Sequence, residues 1–256
     1  MKIFKFGGAS VKDAAGVRNV AEVLKHFALD DVLVVVSAMG KTTNALEEVV
    51  WAYVDGRDAL PKVDLLADLH FGILREVAPD DGPSRVALED LFHALRALLT
   101  QPVTFDVDHY YDMIVAFGEL WSTTIVSAHL NGVRITNQWV DARTIITTDE
   151  RHRAANVKWD MLAYNCEKHL PSFEHGPVRI ITQGFIGRTE DGDTTTLGRE
   201  GSDFSAAIFA YALDAESVTI WKDVPGMFNA DPKRFPNTRL LEHISYKEAI
   251  ELSYFG

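Results

Sequence analysis

The stretch "TTTLGREGSDFSAA", Thr194 to Ala207, sets an arginine, a glutamate, a serine, an aspartate and two glycines against the start of an alanine-rich run. Glycine lets a backbone bend close to a ligand. Ser202 is of a type that caps helices, here one whose apolar positions Phe204, Ile208 and Ala212 repeat at helical spacing. Arg199 and Asp203 are thereby delivered to a helix N-terminus, where unsatisfied amides favour an anion. Taken alone, the loop fits either a negatively charged ligand or a glycine turn with solvated charges.

Other stretches pair glycine with polar groups in the same way. In "KIFKFGGAS", Lys5 ends an apolar run before Gly7 and Gly8, where backbone amides can approach a phosphate and an ammonium can neutralise developing charge; a tight turn uses the same letters. "SAMGKTTN" offers Ser37 and Thr43, while Thr42, Thr43 and Asn44 would equally cap the next helix. Glu119, in "AFGELWS", falls at the start of an apolar helix whose Trp121, Ile125 and Ala128 face the core. A carboxylate there either complements the helix dipole or faces a ligand ammonium. "WKDVPGMFNADPKRF" reads as a strand ending in a Pro-Gly turn, then an Asp-Pro helix start.

Composition narrows the partners. The 256 residues are 47% hydrophobic and 24% charged, enough for a full core. Twenty-five basic against 37 acidic residues leave a net charge of −12, which repels nucleic acid and anionic membranes; no basic run overrides it. A single cysteine, Cys166, reads as a small buried residue in a reducing cytosol, so a cytoplasmic location is expected. The N-terminus carries no apolar segment of signal-peptide length, and apolar runs such as "VLVVVSAM" are short of a membrane span. Nine scattered histidines, of which His152 alone sits in a charged cluster with Arg151 and Arg153, argue against a histidine-built metal site. Magnesium held through carboxylates and phosphates would leave no such mark.

The elements that must position these residues alternate. Strands are expected at 2–6, 32–37, 133–140, 178–185 and 217–223, several continuously apolar as for strands covered on both faces. Helices are expected at 14–29, 44–55, 60–77, 85–99, 113–130, 155–170, 203–213 and 246–254, and "EDGD", 190–193, as a hairpin tip. The pattern predicts an α/β fold: a three-layer α-β-α sandwich with a mainly parallel central sheet, interrupted by a helical insertion over 55–111. In such sheets ligands bind beyond the carboxyl ends of strands, where four of these five strands carry glycine with hydroxyl, lysine or aspartate.

Taken together and in order, "KFGGAS", "VVVSAMGKTTN", "FGELWS", "VDAR", "GFIG", "TTLGREGSD", "WKDVPGMFNADPKRF" and "ISYKEAIELSYFG" resemble the catalytic domain of the aspartokinases, within the amino acid kinase fold. The resemblance covers essentially the whole chain and implies transfer of the γ-phosphoryl group of ATP, with Mg2+, to the side-chain carboxylate of L-aspartate, the first step of lysine, threonine and methionine biosynthesis. That carboxylate is already ionised at neutral pH and needs no general base, so catalysis reduces to positioning and charge neutralisation. By resemblance, Lys5 with Phe6, Gly7 and Gly8 holds the transferring group, and Arg199 takes the substrate α-carboxylate. Glu119 and Asp203 face its ammonium or organise the lysines, and Ser37, Thr43 and Ser202 complete the pocket. Lys222, Asp223, Phe228 and Lys233 match the nucleotide segment, with Phe228 available to adenine. The resemblance further implies an amino-acid lobe over about residues 1–177, a nucleotide lobe over 178–256, and a homodimer.

Three departures stand out. Ala9 replaces the threonine of "KFGGTS", and Glu200 replaces a glycine of "GRGGSD", with an outward orientation expected for its carboxylate. After "SYFG" the family continues with a nucleotide-contacting lysine and ACT regulatory domains, so the chain is expected to be an incomplete catalytic domain, with no feedback site of its own. Two alternatives remain on sequence grounds: a non-catalytic nucleotide- or aspartate-binding domain, and a related kinase such as one for acetylglutamate. A dinucleotide-binding dehydrogenase is disfavoured, since "GGAS" lacks the required glycine spacing.

Overall fold

A computed structural model describes residues 1–27, 31–172 and 178–255. The expected helix end at Leu29 and the closing Gly256 lie outside the described residues. Two compact units are present, Met1–Trp221 and Lys222–Gly256.

The first unit is built on five parallel strands in the order β3-β5-β2-β1-β8, namely β1 (Lys2–Phe6), β2 (Val32–Val36), β3 (Gln138–Val140), β5 (Arg179–Gln183) and β8 (Ser217–Trp221). Central β2 is buried at every position, which is why its run is continuously apolar. The pleat sorts side chains to two faces. Phe4, Phe6, Val32, Val34, Val36 and Ile181 join one hydrophobic cluster with α1 (Ala14–Phe27), α2 (Thr42–Val54), α3 (Leu60–Val77) and α4 (Gly82–Leu99). Ile3, Leu33, Val35 and Ile180 join another with α6 (Trp159–His169) and α7 (Gly201–Ala212). Helix α5 (Val107–Gly132) contributes to both clusters. The expected three-layer sandwich is the observed one, and the 55–111 segment holds helices and no strand.

Several elements differ from expectation. Only Gln138–Val140 of the expected 133–140 strand is extended, because the preceding residues close α5: Arg134 is left-handed at φ 63° and Ile135 N–H donates to Leu130 O at 2.8 Å. Helix α5 starts six residues early at Val107, where the Asp106 side chain accepts His109 N–H, and α4 starts at Gly82, capped by Asp81 through Ser84 N–H. Helix α5 is also long and apolar enough to cross a membrane, contrary to the expectation that no segment reaches that length; 83% of its apolar window is buried inside the protein. A second sheet, β4 (Thr147–Thr148), β6 (Ile186–Thr189) and β7 (Thr194–Thr196), escaped the sequence reading, although the tip between its antiparallel β6 and β7 is the expected 190–193 turn. Cys166 is buried, and burial pushes its thiol up to about 11.

In the second unit, Phe228 and Leu240 form an antiparallel bridge, flanked by Asn229 N–H to Arg239 O and Leu241 N–H to Met227 O. The Asp-Pro segment makes turns rather than the expected helix, with Lys233 N–H donating to the Asp231 side chain. Helix α8 (Tyr246–Phe255) opens on a capping box, Ser245 with Glu248.

Candidate active site

The pleat that sends Phe4 and Phe6 to one face sends Lys5 to the other, under the first turn of α7. Its side chain is 8% exposed, and its Nζ lies 2.6 Å from Asp203 Oδ1. A buried ammonium needs such a counter-charge. Around this pair opens a cavity of about 720 Å3 beyond the carboxyl ends of the strands. Lys5 lines it from β1 and Gly8 from the turn that follows, Ser37 and Ala38 from the β2–α2 connection, Thr43 from the start of α2, and Tyr111 and Glu119 from α5. The β7–α7 connection supplies Arg199 and Glu200, and the first turn of α7 supplies Ser202 and Asp203.

Glycines let these segments close in. A Cβ on Gly8 would sit 2.6 Å from Ala38 O, and one on Gly118 would meet Ala38 Cβ at 2.9 Å. These two close approaches pin the β2–α2 connection between β1 and α5. On the other side, a Cβ on Gly184 would meet Ser202 Cβ at 2.6 Å, so the start of α7 rests on the turn after β5.

Glu119 lies in the middle of α5, not at its start, which removes the helix-dipole explanation for it. It is 3% exposed; Oε1 accepts Ala38 N–H at 3.3 Å, and Oε2 has no hydrogen-bond partner among the described residues. Desolvation pushes its carboxyl up to about 8, against the smaller opposing effect of the Ala38 N–H. An orphaned carboxylate oxygen in a cavity wall suits a cationic ligand group.

Helix α7 is capped differently from expectation. Its N-cap is Glu200, at φ 57°, without a side-chain cap bond, and Ser202 falls inside the first turn. The apolar stripe is shifted too: Phe204 is 41% exposed, while Ser205, Ala206, Ile208 and Phe209 are buried. The left-handed backbone at Glu200 is the physical reason a glycine suits this position. Glu200 is exposed and lines the cavity.

A lysine-carboxylate pair at a strand end, facing a glycine-shaped cavity under a helix N-terminus, is an arrangement for binding and neutralising an anion. The whole chain, residues 1–256, matches the model of the amino acid kinase family. The chain belongs to that family. Among curated relatives it is 32% identical to chloroplastic aspartokinase 1 of Arabidopsis thaliana and 34% identical to lysine-sensitive aspartokinase 3 of Escherichia coli (strain K12). Both matches cover 99% of this chain and, respectively, 45% and 56% of the relative, so the chain spans about half the length of the curated relatives it matches. The structure of E. coli aspartokinase III in complex with aspartate and ADP superposes with a TM-score of 0.87 at 32% identity, covering 100% of this chain and 56% of that one.

Within this amino acid kinase domain, the structure gathers Lys5, Gly8, Ser37, Thr43, Glu119, Arg199, Ser202 and Asp203 around one cavity. Ser37 is tied there by its backbone, which accepts Ser122 Oγ at 2.8 Å. Phe6 points the other way, buried and stacked on Trp221 at 6.1 Å. Gly7 faces the lysine, where a Cβ would lie 3.5 Å from Nζ. Lys222, Asp223, Phe228 and Lys233 belong to the second unit, where Phe228 is half-buried and the other three are exposed. The cavity also draws on Tyr111, Arg153 and Phe185, which sequence reasoning did not assign. Phe185 carried a signal, following a glycine after a strand; Tyr111 and Arg153 carried none beyond the charged cluster around His152.

Proposed function

We propose that this chain phosphorylates the side-chain carboxylate of L-aspartate with ATP, giving 4-phospho-L-aspartate. The observation that carries the reading is the pairing, in one cavity, of a buried lysine beside Asp203 with a buried carboxylate, Glu119, whose Oε2 has no hydrogen-bond partner among the described residues. Together with Arg199 this set is complementary to an amino acid carrying two carboxylates and one ammonium. Arg199 takes the α-carboxylate in bidentate fashion and Glu119 the ammonium. Lys5 neutralises charge between the side-chain carboxylate and the γ-phosphoryl group. Asp203 keeps Lys5 aimed, while Ser37, Thr43 and Ser202 supply hydroxyls. The aspartate and ADP bound in the E. coli aspartokinase III structure support the same pairing of ligands.

The residues present fit a nucleoside triphosphate. Gly7 leaves open the space over Lys5 that a side chain would fill, and Gly8 brings backbone amides to the strand end. By resemblance to the family's nucleotide segment, Lys222, Asp223, Phe228 and Lys233 of the second unit are assigned to the nucleotide. Magnesium would arrive with the nucleotide, held mainly by its phosphate oxygens. Magnesium, when bound, neutralises phosphate charge. Residues 1–177 then serve chiefly the amino acid and 178–256 the nucleotide, although Arg199 and Asp203 reach the amino-acid cavity from the second stretch. A cytoplasmic homodimer acting at the head of lysine, threonine and methionine biosynthesis completes the reading.

The test is acyl-phosphate trapping: the chain with Mg-ATP, hydroxylamine and L-aspartate, with L-glutamate and N-acetyl-L-glutamate in parallel. Hydroxamate from aspartate alone is expected. Product from acetylglutamate instead would move the chain to another branch of the family, and no product from any acceptor with folded protein would leave only a binding role.

A further inference from the structure

A second guanidinium, that of Arg153, lines the same cavity and has no part in the roles above. Its loop abuts that of Arg199. Gly198, left-handed at φ 79°, sits where a Cβ would lie 3.1 Å from Arg153 O, and Ala155 N–H donates to Thr196 O at 3.0 Å. The two arginines therefore leave adjoining backbones and enter one cavity.

Arg153 is clamped at its backbone and loosely tethered at its guanidinium. Asp112, fully buried, accepts the Arg153 backbone N–H on both carboxylate oxygens, at 3.1 and 3.0 Å. Asp112 is itself anchored by Thr196 Oγ1 at 2.6 Å and by His152 Nδ1 at 2.9 Å, and His152 Nε2 pairs with His109 Nδ1 at 3.0 Å. This clamp holds Arg153 left-handed at φ 64°, a backbone state that side-chain-bearing residues keep only where the surroundings enforce it. The guanidinium carbon lies 4.2 Å from the centre of the Tyr111 ring, and Nη1 bonds Asp108 at 3.1 Å, with Glu47 at 3.9 Å. Asp108 and Glu47 are 50% and 41% exposed at their side chains, so these pairings are weak and exchangeable. Among the described residues the Asp108 contact is the only hydrogen bond of the guanidinium, which leaves further donors for a ligand.

We propose that Arg153 is a second carboxylate-recognition residue, which with Arg199 grips the α-carboxylate of the acceptor and makes the cavity selective for a free α-carboxylate. The inference rests on the aspartate reading above. Lys5 and Asp203 occupy the strand end where the phosphoryl group must arrive, so the wall shared by Arg153 and Arg199 is left for the carboxylate that does not react. The cation–π contact with Tyr111 restrains the guanidinium and lowers the entropy lost on binding.

The experiment compares the 256-residue chain with Arg153→Gly, which tolerates the left-handed backbone, and with Arg153→Lys, which keeps charge without the fork. L-aspartate and its α-amide are titrated as acceptors and, by calorimetry, as ligands. Arg153→Gly is expected to raise KM or Kd for L-aspartate at least tenfold with KM for ATP and kcat within twofold, and to shrink the preference for aspartate over its α-amide about tenfold. Arg153→Lys falls between. If Arg153→Gly changes aspartate affinity less than twofold, or weakens both ligands equally, Arg153 only supports its loop and the proposal is overturned. A wild-type chain that neither binds nor phosphorylates aspartate overturns the underlying reading first, and this one with it.

Discussion

Two carboxylates line the same cavity from different helices and are held in opposite ways. On the α7 wall, Asp203 sits in a first helical turn, 28% exposed at its side chain and 2.6 Å from Lys5. On the α5 wall, Glu119 sits mid-helix, buried, with one oxygen unpartnered and its carboxyl pushed up to about 8. The first is spent on a partner the protein supplies; the second waits for one it does not. A cavity can therefore hold a permanent ion pair and an uncompensated carboxylate side by side, provided the second is neutral until a ligand arrives.

The comparison breaks most sharply at Lys5. Lys5→Ala removes the ammonium paired with Asp203 and is expected to lower hydroxamate formation about a thousandfold, the scale of losing a transition-state charge stabiliser. Asp203→Asn leaves Lys5 buried beside a neutral group; a loss of about a hundredfold in kcat is expected, with about 1–2 kcal/mol of stability lost in urea titrations, because the exposed part of the pair discounts the full buried-pair cost.

Glu119→Gln is expected to do the reverse to stability. With the folded pKa raised from 4.5 to about 8, the native state favours the protonated acid. Stability tied to that proton is fully present below pH 4.5 and is lost as pH rises through 8. Glutamine escapes that loss, so the variant gains on the order of 4 kcal/mol over the parent at pH 8 and little at pH 4.5, while KM for aspartate rises about tenfold. Melting curves across pH check the first, steady-state kinetics the second; a variant less stable than the parent at pH 8 would show that Glu119 is ionised and paired in the folded chain. The smallest effect is at Glu200. Glu200→Gly relieves a left-handed backbone at the cost of unfolded-chain entropy, for a net gain of about 0.5 kcal/mol by thermal melting.

How far the sequence could be read follows from which forces act locally. Strand β1 was legible to the residue and β2 within one, because burial on both faces demands continuous apolar runs. Helix α3, Leu60–Val77, was legible because its stripe is long and its start carries proline. The 133–140 segment misled because Val133 and Ile135 are apolar for the sake of a helix end, not a ladder. Strands of two to four residues, such as β4, β6 and β7, leave too short a period to detect. Of the site, Lys5, Arg199 and Asp203 were marked by adjacent glycines. Glu119 was marked by its charge in an apolar helix, but its position along that helix depended on a cap at Asp106 that lies outside the motif. Arg153 reaches the cavity only through a tertiary clamp on Asp112, 41 residues away in sequence, which no local pattern encodes.

The unpartnered oxygen of Glu119 also makes recognition a proton-exchange reaction. A ligand ammonium that settles against it favours the ionised form, so binding near neutral pH expels a proton into the buffer. Apparent affinity for the amino acid then climbs by up to tenfold per pH unit until about pH 8, and the measured heat of binding depends on which buffer takes up the proton.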